Sequence, residues 1–355
     1  MKNKYLILSH HKVKQLITPL YNKFVTADAL ADKDDTWNNL SHYLTKHQHS
    51  TVVIANVNKC NAKCVFCGQH KFERASGVMT QELFEGIVIQ SYKLGITHLD
   101  ITPPLGEPLL DKGFVSKIAF AADYMKYISM TTNGILLNKD KEDGLIWEIS
   151  NWVNRVNISI GGLDDEMYKK VYGVNKFNDV ITGIDLLCKQ ISDNTLSTTK
   201  VHIFFRTGSN TYEILNHPEY KKIIQPRVNE GMVTVEFTNG YDNWGGSIKP
   251  TDLVGAMKPR QEVKKCGLPC FSLMSFFVEH QGNVRLCGCR FLDKEDDGLV
   301  VGNMYESTLK EILSTSSKLK IFNKFKMDDD KVDNSPEVCK GCTLYRPIRK
   351  KDFSF

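Results

Sequence analysis

Three cysteines within one short segment could hold a metal centre. Cys60, Cys64 and Cys67 stand in the run CNAKCVFC, directly after the apolar, strand-like segment Thr51–Val57. Iron–sulfur clusters of the [4Fe–4S] type are usually held by four cysteine thiolates. Three thiolates would hold three corners of such a cluster and leave the fourth iron open, and an open coordination position is where a metal centre can activate a ligand. The CxxxCxxC spacing therefore predicts a reactive [4Fe–4S] cluster.

A zinc knuckle is the alternative interpretation of these three cysteines, and it needs a fourth cysteine or histidine ligand close by. His70 is the local candidate in the sequence. The resulting spacing, CxxxCxxCxxH, is not a usual zinc pattern. The iron–sulfur cluster is therefore the favoured interpretation.

The remaining cysteines predict a second metal site. Of ten cysteines in the chain, Cys188 is isolated in a helical pattern, where we expect a buried core thiol. Metal binding is favoured over disulfide bonds in a chain with no secretory signal. Six further cysteines lie close to the C-terminus: Cys266, Cys270, Cys287, Cys289, Cys339 and Cys342.

Length and composition indicate a globular protein with one large α/β domain and a smaller appendage. The chain has 355 residues, of which 41% are hydrophobic and 25% are charged. The net charge of +5 is spread out, and the basic stretch Arg346–Lys351 is typical of a solvated tail, so no nucleic-acid partner is expected. The N-terminal apolar run stops at Ser9, and no stretch reaches transmembrane length, which predicts a cytoplasmic protein without a membrane partner.

Six strand–helix repeats are predicted to position the first cysteine cluster. Such alternation predicts parallel strands with outer helices, as in a partial (β/α)6 TIM-like barrel, and reactive groups then lie at the carboxyl ends of the strands. The predicted strands are Thr51–Val57, His98–Thr102, Tyr127–Thr131, Arg155–Ile160, Val201–Thr207 and Met232–Thr238. The predicted helices are Thr80–Lys93, Lys112–Met125, Asp143–Trp152, Asp164–Tyr172, Asp179–Ser192 and His217–Val228.

The alternation stops after the run DNWGG at 242–246, which predicts a domain boundary there. Phe276–His280 and Val284–Cys287 flank the turn residues Gln281, Gly282 and Asn283, as expected for a hairpin. A helix over Ser307–Phe325 and an acidic loop at Asp328–Asp330 follow. We therefore divide the chain into an N-terminal extension of unknown role (1–50), a core (51–245) and a small C-terminal α+β domain (246–355).

The ordered motifs of the core resemble those of the radical S-adenosylmethionine (SAM) enzymes. The cluster loop carries Phe66, which the resemblance places against the adenine of SAM. The run PPLGEP at 103–108 is similar to the family's Gly-Gly-Glu motif, with Leu105 in place of the first glycine. By this resemblance SAM binds the open iron, and its methionine ammonium is received by Glu107, a residue that can accept a charge-assisted hydrogen bond. The cofactor-binding residues that the resemblance implies are Phe66, Gly106, Glu107, Thr132, Asn133, Ser159 and Arg206.

The C-terminal cysteines resemble those of the twitch and SPASM domains, which bind auxiliary clusters. Cys270 and Cys287 flank Gly282 in the Cys-x11-Gly-x4-Cys pattern of that hairpin, and the pair Cys339 and Cys342 could complete four ligands. The resemblance implies a closed auxiliary [4Fe–4S] cluster, nearest to the shorter twitch version; zinc on the same thiolates is the alternative. Two cysteines remain: Cys266, a possible substitute ligand, and Cys289, a possible hydrogen-atom donor; a spare structural thiol is the simplest interpretation of each.

The resemblance implies that SAM is cleaved reductively to a 5′-deoxyadenosyl radical that removes a hydrogen atom from a substrate. With an auxiliary cluster accepting an electron, we expect dehydrogenation of a small polar metabolite such as an aminocyclitol or a sugar. A peptide maturase that crosslinks or epimerises its substrate is one alternative, and a non-catalytic metal-binding or electron-transfer protein is another. The catalytic candidates are Arg206 and Cys289. A flavodoxin or ferredoxin is the expected electron donor.

Overall fold

The protein is described from a computed structural model, which covers residues 37, 38, 40, 51–139, 144–292, 297–326 and 334–348. Nearly all of the N-terminal extension and the acidic loop at 328–330 lie outside the described residues. In the part of the chain that is described, no helix has both the length and the apolar character needed to cross a bilayer.

The described residues form a mixed α/β fold around a nine-stranded sheet with the strand order β11-β10-β9-β1-β2-β3-β4-β5-β6. Strands β1 to β6 are parallel to one another, which confirms the predicted parallel core. Their bounds are β1 Thr51–Ile54, β2 His98–Ile101, β3 Tyr127–Thr132, β4 Arg155–Ile160, β5 Lys200–Phe205 and β6 Val233–Phe237. Two short strands, β7 Gly240–Tyr241 and β8 Lys258–Pro259, pair separately.

Helices follow the strands as the alternation predicts. Thr80 caps the first of them, since its side chain accepts a hydrogen bond from the backbone N–H of Leu83. The helices of the core are α1 Gln81–Lys93, α2 Phe114–Ala122, α3 Leu145–Trp152, α4 Asp165–Tyr172, α5 Phe177–Asp193, α6 Thr211–Asn216 and α7 Gln225–Asn229. The predicted helix His217–Val228 corresponds to continuous helical structure over residues 218–229, in which a π-helical turn, Tyr220–Ile224, runs into α7, where Pro226 has no backbone N–H to donate.

The C-terminal hairpin extends the core sheet. Strand β9, Phe276–Val278, lies parallel to β1, and it pairs antiparallel with β10, Asn283–Arg285, which pairs with β11, Val300–Asn303. The ladder between Val52 and Phe276 thus crosses the predicted boundary near residue 245, and the domain limits themselves stay a prediction.

The single helix predicted over Ser307–Phe325 is two helices, α8 Leu309–Ile312 and α9 Thr315–Phe322, with a 3-10 turn at Asn323–Phe325. The break falls at Ser314, whose side chain accepts from the N–H of Ser317 and begins the second helix.

Apolar side chains alternate with polar ones along the core strands, as expected for strands with one face against helices. Val52 and Ile54 on β1 and Leu99 and Ile101 on β2 are at most 1% exposed. On the other face, Asp100 accepts hydrogen bonds from the hydroxyls of Thr102 and Ser129. The cysteine loop lies at the carboxyl ends of these strands, because it follows β1 in the chain.

Candidate active site with two cysteine clusters

The loop that carries Cys60, Cys64 and Cys67 follows β1 directly, at the predicted edge of the sheet. It is held by the end of α4, because the N–H of Lys63 donates to the carbonyl of Tyr172 at 2.7 Å and that of Val65 to Val171 at 2.9 Å. Gly173, which ends α4 with φ of +68°, permits this approach: a Cβ there would lie 2.8 Å from the Lys63 carbonyl oxygen.

The three thiols share one electrostatic environment. Burial, followed by the charge of Glu107, raises the pKa of Cys60 to about 12, and burial followed by the neighbouring cysteines raises that of Cys64. Burial also raises the pKa of Cys67, whose sulfur accepts the N–H of Gln69 at 3.4 Å. Metal ligation requires the thiolate form, so binding must release these protons.

His70 does not complete a zinc site in this structure. Its Nε2 contacts the carbonyl oxygen of Ala62 at 2.8 Å. Among the residues that the structure describes, no group of three histidine, cysteine, aspartate or glutamate side chains is arranged around a single metal ion. Cys60, Cys64 and Cys67 instead line one cavity together.

Glu107 is 2% exposed and is held by three donors near the thiols. Its Oε1 accepts from Thr132 Oγ1 at 2.6 Å and from the N–H of Leu109 at 3.2 Å, and its Oε2 accepts from the N–H of Asn133 at 2.8 Å. Burial raises the pKa of Glu107 to about 7, although the three hydrogen bonds favour the carboxylate. An oxygen with one donor keeps a lone pair for a cationic ligand.

Gly106 lets the chain pass close to the segment that follows β1. Its φ is +153°, and a Cβ would lie 2.4 Å from the carbonyl oxygen of Val57. Leu105, which replaces the family's first glycine, turns its side chain into a small apolar cluster with Phe277 and Phe291. The close approach of this loop to the backbone of Val57 therefore requires a glycine at position 106 and not at position 105.

Asn133 joins the end of β3 to the cysteine loop. Its Nδ2 donates to Asn61 Oδ1 at 2.7 Å and lies 3.8 Å from the sulfur of Cys60. Its Oδ1 accepts the N–H of Ile135, which closes the turn that begins at Thr132. The sequence pattern placed this amide at a strand end, and the structure adds that it contacts the cysteine loop.

Phe66 and Arg206 lie together in the cavity that the three thiols line. The Phe66 ring stacks on Tyr241 with centroids 5.0 Å apart, and the Arg206 guanidinium lies 5.5 Å from its centroid. Arg206 Nε is buried and has no hydrogen-bond partner among the described residues. This cation is thus available to an anionic group of a ligand.

A cavity of about 500 Å³ brings these residues together. All seven predicted cofactor-binding residues line this cavity, including Ser159 near the end of β4. Cys289 from the C-terminal part of the chain lines it as well. Its other charged residues are Glu236, Asp242 and Arg260, and the lining aromatic rings are Phe66, Tyr172, Phe204, Tyr241, Trp244 and Phe277. No local motif in the sequence could have identified Tyr172, Tyr241 and Trp244 as lining residues.

The C-terminal cysteines form a second group. Cys270, Cys287, Cys339 and Cys342 line one small cavity together with Cys289. Cys266 is not part of this lining: its thiol is 3.3 Å from the hydroxyl of Tyr345, which lines the cavity and donates to the carbonyl of Leu268. The structure thus groups the four predicted auxiliary ligands, and their role stays a prediction.

Cys289 lies between the two cavities and lines both. Its N–H donates to the sulfur of Cys287 at 3.3 Å, and its own sulfur is 3.7 Å from Ser272 Oγ. A hydrogen bond between the two thiol side chains lowers the pKa of Cys289 below its ordinary value.

The fold and the site define a class: an α/β protein whose parallel sheet carries one cysteine cluster at its strand ends and a second in an added hairpin domain. The family model for the radical SAM superfamily matches residues 57–211, and the model for the SPASM iron–sulfur cluster-binding domain matches residues 270–343. The chain therefore carries a radical SAM domain followed by a C-terminal SPASM iron–sulfur cluster-binding domain. These two domains imply two [4Fe–4S] clusters and SAM.

Curated relatives match about half of the chain. A GTP 3′,8-cyclase of Thermodesulfovibrio yellowstonii is 31% identical over 181 residues, which are 49% of this chain and 53% of that protein. A GTP 3′,8-cyclase of Haemophilus influenzae is 29% identical over 206 residues, 56% of this chain and 58% of that protein. The chain thus spans little more than half the length of these relatives.

Solved structures share the fold at low identity. BtrN in complex with AdoMet and 2-DOIA has a TM-score of 0.52 and 15% identity, and the match covers 83% of this chain and 93% of that one. Streptococcus suis SuiB bound to its precursor peptide SuiA has a TM-score of 0.57 and 15% identity, covering 88% of this chain and 75% of that one. These likenesses concern the fold alone.

The predicted dehydrogenation of an aminocyclitol or sugar is wrong by these comparisons. The curated relatives are named GTP 3′,8-cyclases, and none of the names given above is that of a dehydrogenase. The names of the curated relatives give no support to the peptide-maturase alternative. The match to the radical SAM model does not favour the alternative of a non-catalytic protein. The prediction failed because the four C-terminal cysteines specify a cluster and carry no information about the substrate.

Proposed function

We propose that this protein is a radical SAM enzyme that removes a hydrogen atom from a substrate held in the cavity of about 500 Å³ and that the reaction is a cyclisation. The observation that carries this proposal is the lining of one cavity by Cys60, Cys64 and Cys67, by Glu107, and by Cys289 of the C-terminal domain. A substrate in it would lie between the two cysteine clusters.

The residues fit a cluster with SAM on its open iron. When bound, the cluster and SAM supply a 5′-deoxyadenosyl radical, which takes a hydrogen atom from the substrate. Cys60, Cys64 and Cys67 provide the three ligands, and Glu107 accepts the ammonium group of SAM because it is buried and fixed by its donors. Phe66 packs against the adenine, and the unpartnered Nε of Arg206 binds a carboxylate or phosphate.

The neighbouring strand ends complete the cofactor pocket in this proposal. Thr132 and Asn133 hold the carboxylate of Glu107, and Asn133 also fixes the loop that carries Cys60. Ser159, which is 9% exposed and lines the cavity, offers a hydroxyl to a polar group of SAM. These residues bind and orient; the chemistry is that of the bound cofactors.

GTP or a similar purine nucleotide is the proposed substrate, as the names of the curated relatives suggest. Aromatic rings along the cavity can stack on a base, and Arg206 and Arg260 can bind phosphate oxygens. Removal of one hydrogen atom, closure of a ring bond and return of one electron and one proton would leave the product with the mass of GTP. The electron comes from the external reductant.

A small acidic one-electron carrier, such as a flavodoxin or a ferredoxin, is the proposed electron donor. Lys59 and Lys63 are exposed on the loop of the first cluster and flank Cys60 and Cys64 in the chain. Positive charge beside the cluster would attract and orient an acidic partner.

The SAM-cleaving activity is tested with protein whose clusters have been reconstituted anaerobically. Incubation with SAM and dithionite should yield 5′-deoxyadenosine, and Cys64→Ala should abolish it. Cys188→Ala is the matched control, because Cys188 is buried in α5 and lines neither cavity. Wild-type protein that holds both clusters and yields no 5′-deoxyadenosine would refute the proposed activity.

The substrate is tested separately by adding GTP to the same reaction. GTP should increase 5′-deoxyadenosine formation and should be converted to an isomer of equal mass that separates by chromatography. ATP and guanosine serve as comparisons for the base and the phosphates. SAM cleavage that is unaffected by GTP, with GTP recovered unchanged, would exclude this substrate and leave the radical SAM activity standing.

A further inference from the structure

A buried ion pair lies between the two cysteine clusters. Arg290 is 3% exposed, and its Nε lies 3.0 Å from Oδ2 of Asp242. The same guanidinium donates to Asn243 Oδ1 at 3.0 Å and to the carbonyl of Lys340 at 3.3 Å. No residue motif singled out this pair, whose partners are 48 positions apart in the sequence.

Arg290 connects the two segments of the chain that carry the proposed auxiliary ligands. It stands three positions after Cys287, and Lys340, whose carbonyl it binds, lies between Cys339 and Cys342. The hairpin cysteines and the C-terminal pair are thus bridged by one side chain. A guanidinium suits this position because its planar fork can bond several acceptors at once.

Asp242 continues the contacts toward the first cluster. Its Oδ1 accepts from Thr343 Oγ1 at 2.7 Å and its Oδ2 from the N–H of Trp244 at 2.8 Å. Trp244 in turn donates from its indole to the carbonyl of Phe66 at 3.0 Å, one residue before Cys67. An unbroken series of polar contacts therefore connects the two cysteine loops.

Trp244 has an unusual backbone within this series. Its φ is +48°, a conformation that residues other than glycine rarely adopt and that costs free energy. Contacts of both its backbone N–H and its indole N–H accompany that conformation. The neighbouring Gly245, with φ of +68°, lies against Arg290: a Cβ there would be 3.5 Å from a guanidinium nitrogen.

Arg290 and Asp242 place a positive and a negative charge beside the segment that carries the auxiliary cysteines Cys339 and Cys342. Arg290 binds the carbonyl of Lys340, two positions before Cys342, and Asp242 binds the hydroxyl of Thr343, the residue after Cys342. In a low-dielectric interior such charges act strongly on a nearby group. A cluster gains negative charge on reduction, so a nearby cation favours the reduced form and an anion disfavours it.

We propose that Arg290 and Asp242 are positioning residues that join the two cluster loops and set the reduction potential of the auxiliary cluster, Arg290 raising it and Asp242 lowering it. The proposal rests on the proposed ligand set of Cys270, Cys287, Cys339 and Cys342. It concerns the chain's own charges and makes no use of the identity of the substrate.

The test is a redox titration of both clusters followed by electron paramagnetic resonance, with the iron content of every sample measured. Arg290→Gln should shift the auxiliary potential to a more negative value, and Asp242→Asn should shift it to a more positive one. Arg290→Lys keeps the charge and should stay closer to the wild type than Arg290→Gln. Arg227→Gln is the matched control, because Arg227 lies on α7, lines neither cavity and pairs with Asp185 on the protein surface.

Opposite shifts from the Gln and Asn variants would support the proposal, since a purely structural role predicts cluster loss or shifts of one sign in both. Unchanged potentials at full iron content, or shifts in the same direction, would overturn it. If Arg290→Gln does not retain the auxiliary cluster, Arg290→Lys and Asp242→Asn decide the question. A wild-type protein with about four irons would instead refute the ligand set, and two clusters without SAM cleavage would refute only the proposed activity.

Discussion

Glu107 accepts the backbone N–H of Asn133 at 2.8 Å, and the side chain of Asn133 reaches the loop of Cys60. The carboxylate proposed to bind SAM and the loop proposed to bind the cluster are therefore held by the same residue at the end of β3. A SAM-binding carboxylate and a cluster loop that serve one site need such a shared support, and the backbone adds to it, because the N–H of Glu107 donates to the carbonyl of Lys59 at 2.9 Å.

Protonation of Glu107 should make SAM binding depend on pH. The pKa of Glu107 is raised to about 7, so its carboxylate is lost as the pH falls through that value. If the carboxylate alone receives the ammonium, affinity for SAM should be about eightfold lower at pH 6.0 than at pH 7.5. Anaerobic equilibrium dialysis of the reconstituted protein measures this.

Glu107→Gln is the matching variant, since it keeps the size of the side chain and removes the charge. Its affinity for SAM should be at least about tenfold lower at pH 7.5, as expected for the loss of a charge-assisted hydrogen bond, and independent of pH in this range. A variant whose affinity still falls toward pH 6 would assign the pH dependence to another group.

Gly106→Ala should damage the site without any change of chemistry. The added Cβ would lie 2.4 Å from the Val57 carbonyl oxygen at a φ of +153°, so the loop that carries Glu107 must move. We expect a loss of at least about 2 kcal/mol in the free energy of unfolding and much weaker SAM binding.

Gly86→Ala is the control for that substitution. Gly86 lies within α1, and a Cβ there would meet nothing within 4 Å. Alanine should stabilise this helix by about 0.5–1 kcal/mol. If urea unfolding gave the two variants the same free energy of unfolding, the close approach at Gly106 would make no contribution to stability.

The sequence predicted those parts of the site that depend on local spacing or on strand order. Cys60 to Cys67 follow β1, and Glu107, Asn133 and Ser159 follow or end later strands, so a parallel sheet brings them to one edge. The pairing of β9 with β1 could not be predicted, because hydrogen bonds between Val52 and Phe276 leave no mark on either local pattern. The same holds for Trp244, whose contact with Phe66 spans 178 positions.

The auxiliary ligand set can be tested by counting iron. Cys339→Ala should reduce the iron content from about eight to about four per chain, because a closed cluster loses one of its four thiolates. Cys266→Ala is the control, since Cys266 does not line the cavity of the other cysteines and its thiol contacts Tyr345, and it should keep about eight irons.

The reverse result would reassign the ligands. A loss of iron in Cys266→Ala together with retention in Cys339→Ala would identify Cys266 as the fourth ligand. Cys289→Ala completes the series: a normal iron content there would free Cys289 for a role toward the substrate, whose cavity it also lines.

The buried ion pair between Lys117 and Asp111 stabilises the segment that follows Glu107. Its loss should destabilise the whole fold. Lys117 on α2 donates to Asp111 Oδ2 at 2.6 Å and to the carbonyl of Met79 at 2.7 Å, and both charged side chains are at most 3% exposed. Lys117→Met would leave a buried carboxylate without its cation, at a cost of about 3–5 kcal/mol. Lys112→Met is the control at an exposed position of the same region and should change the stability by less than about 0.5 kcal/mol. Urea unfolding of the cluster-free protein measures both, and equal stabilities would contradict the proposed support.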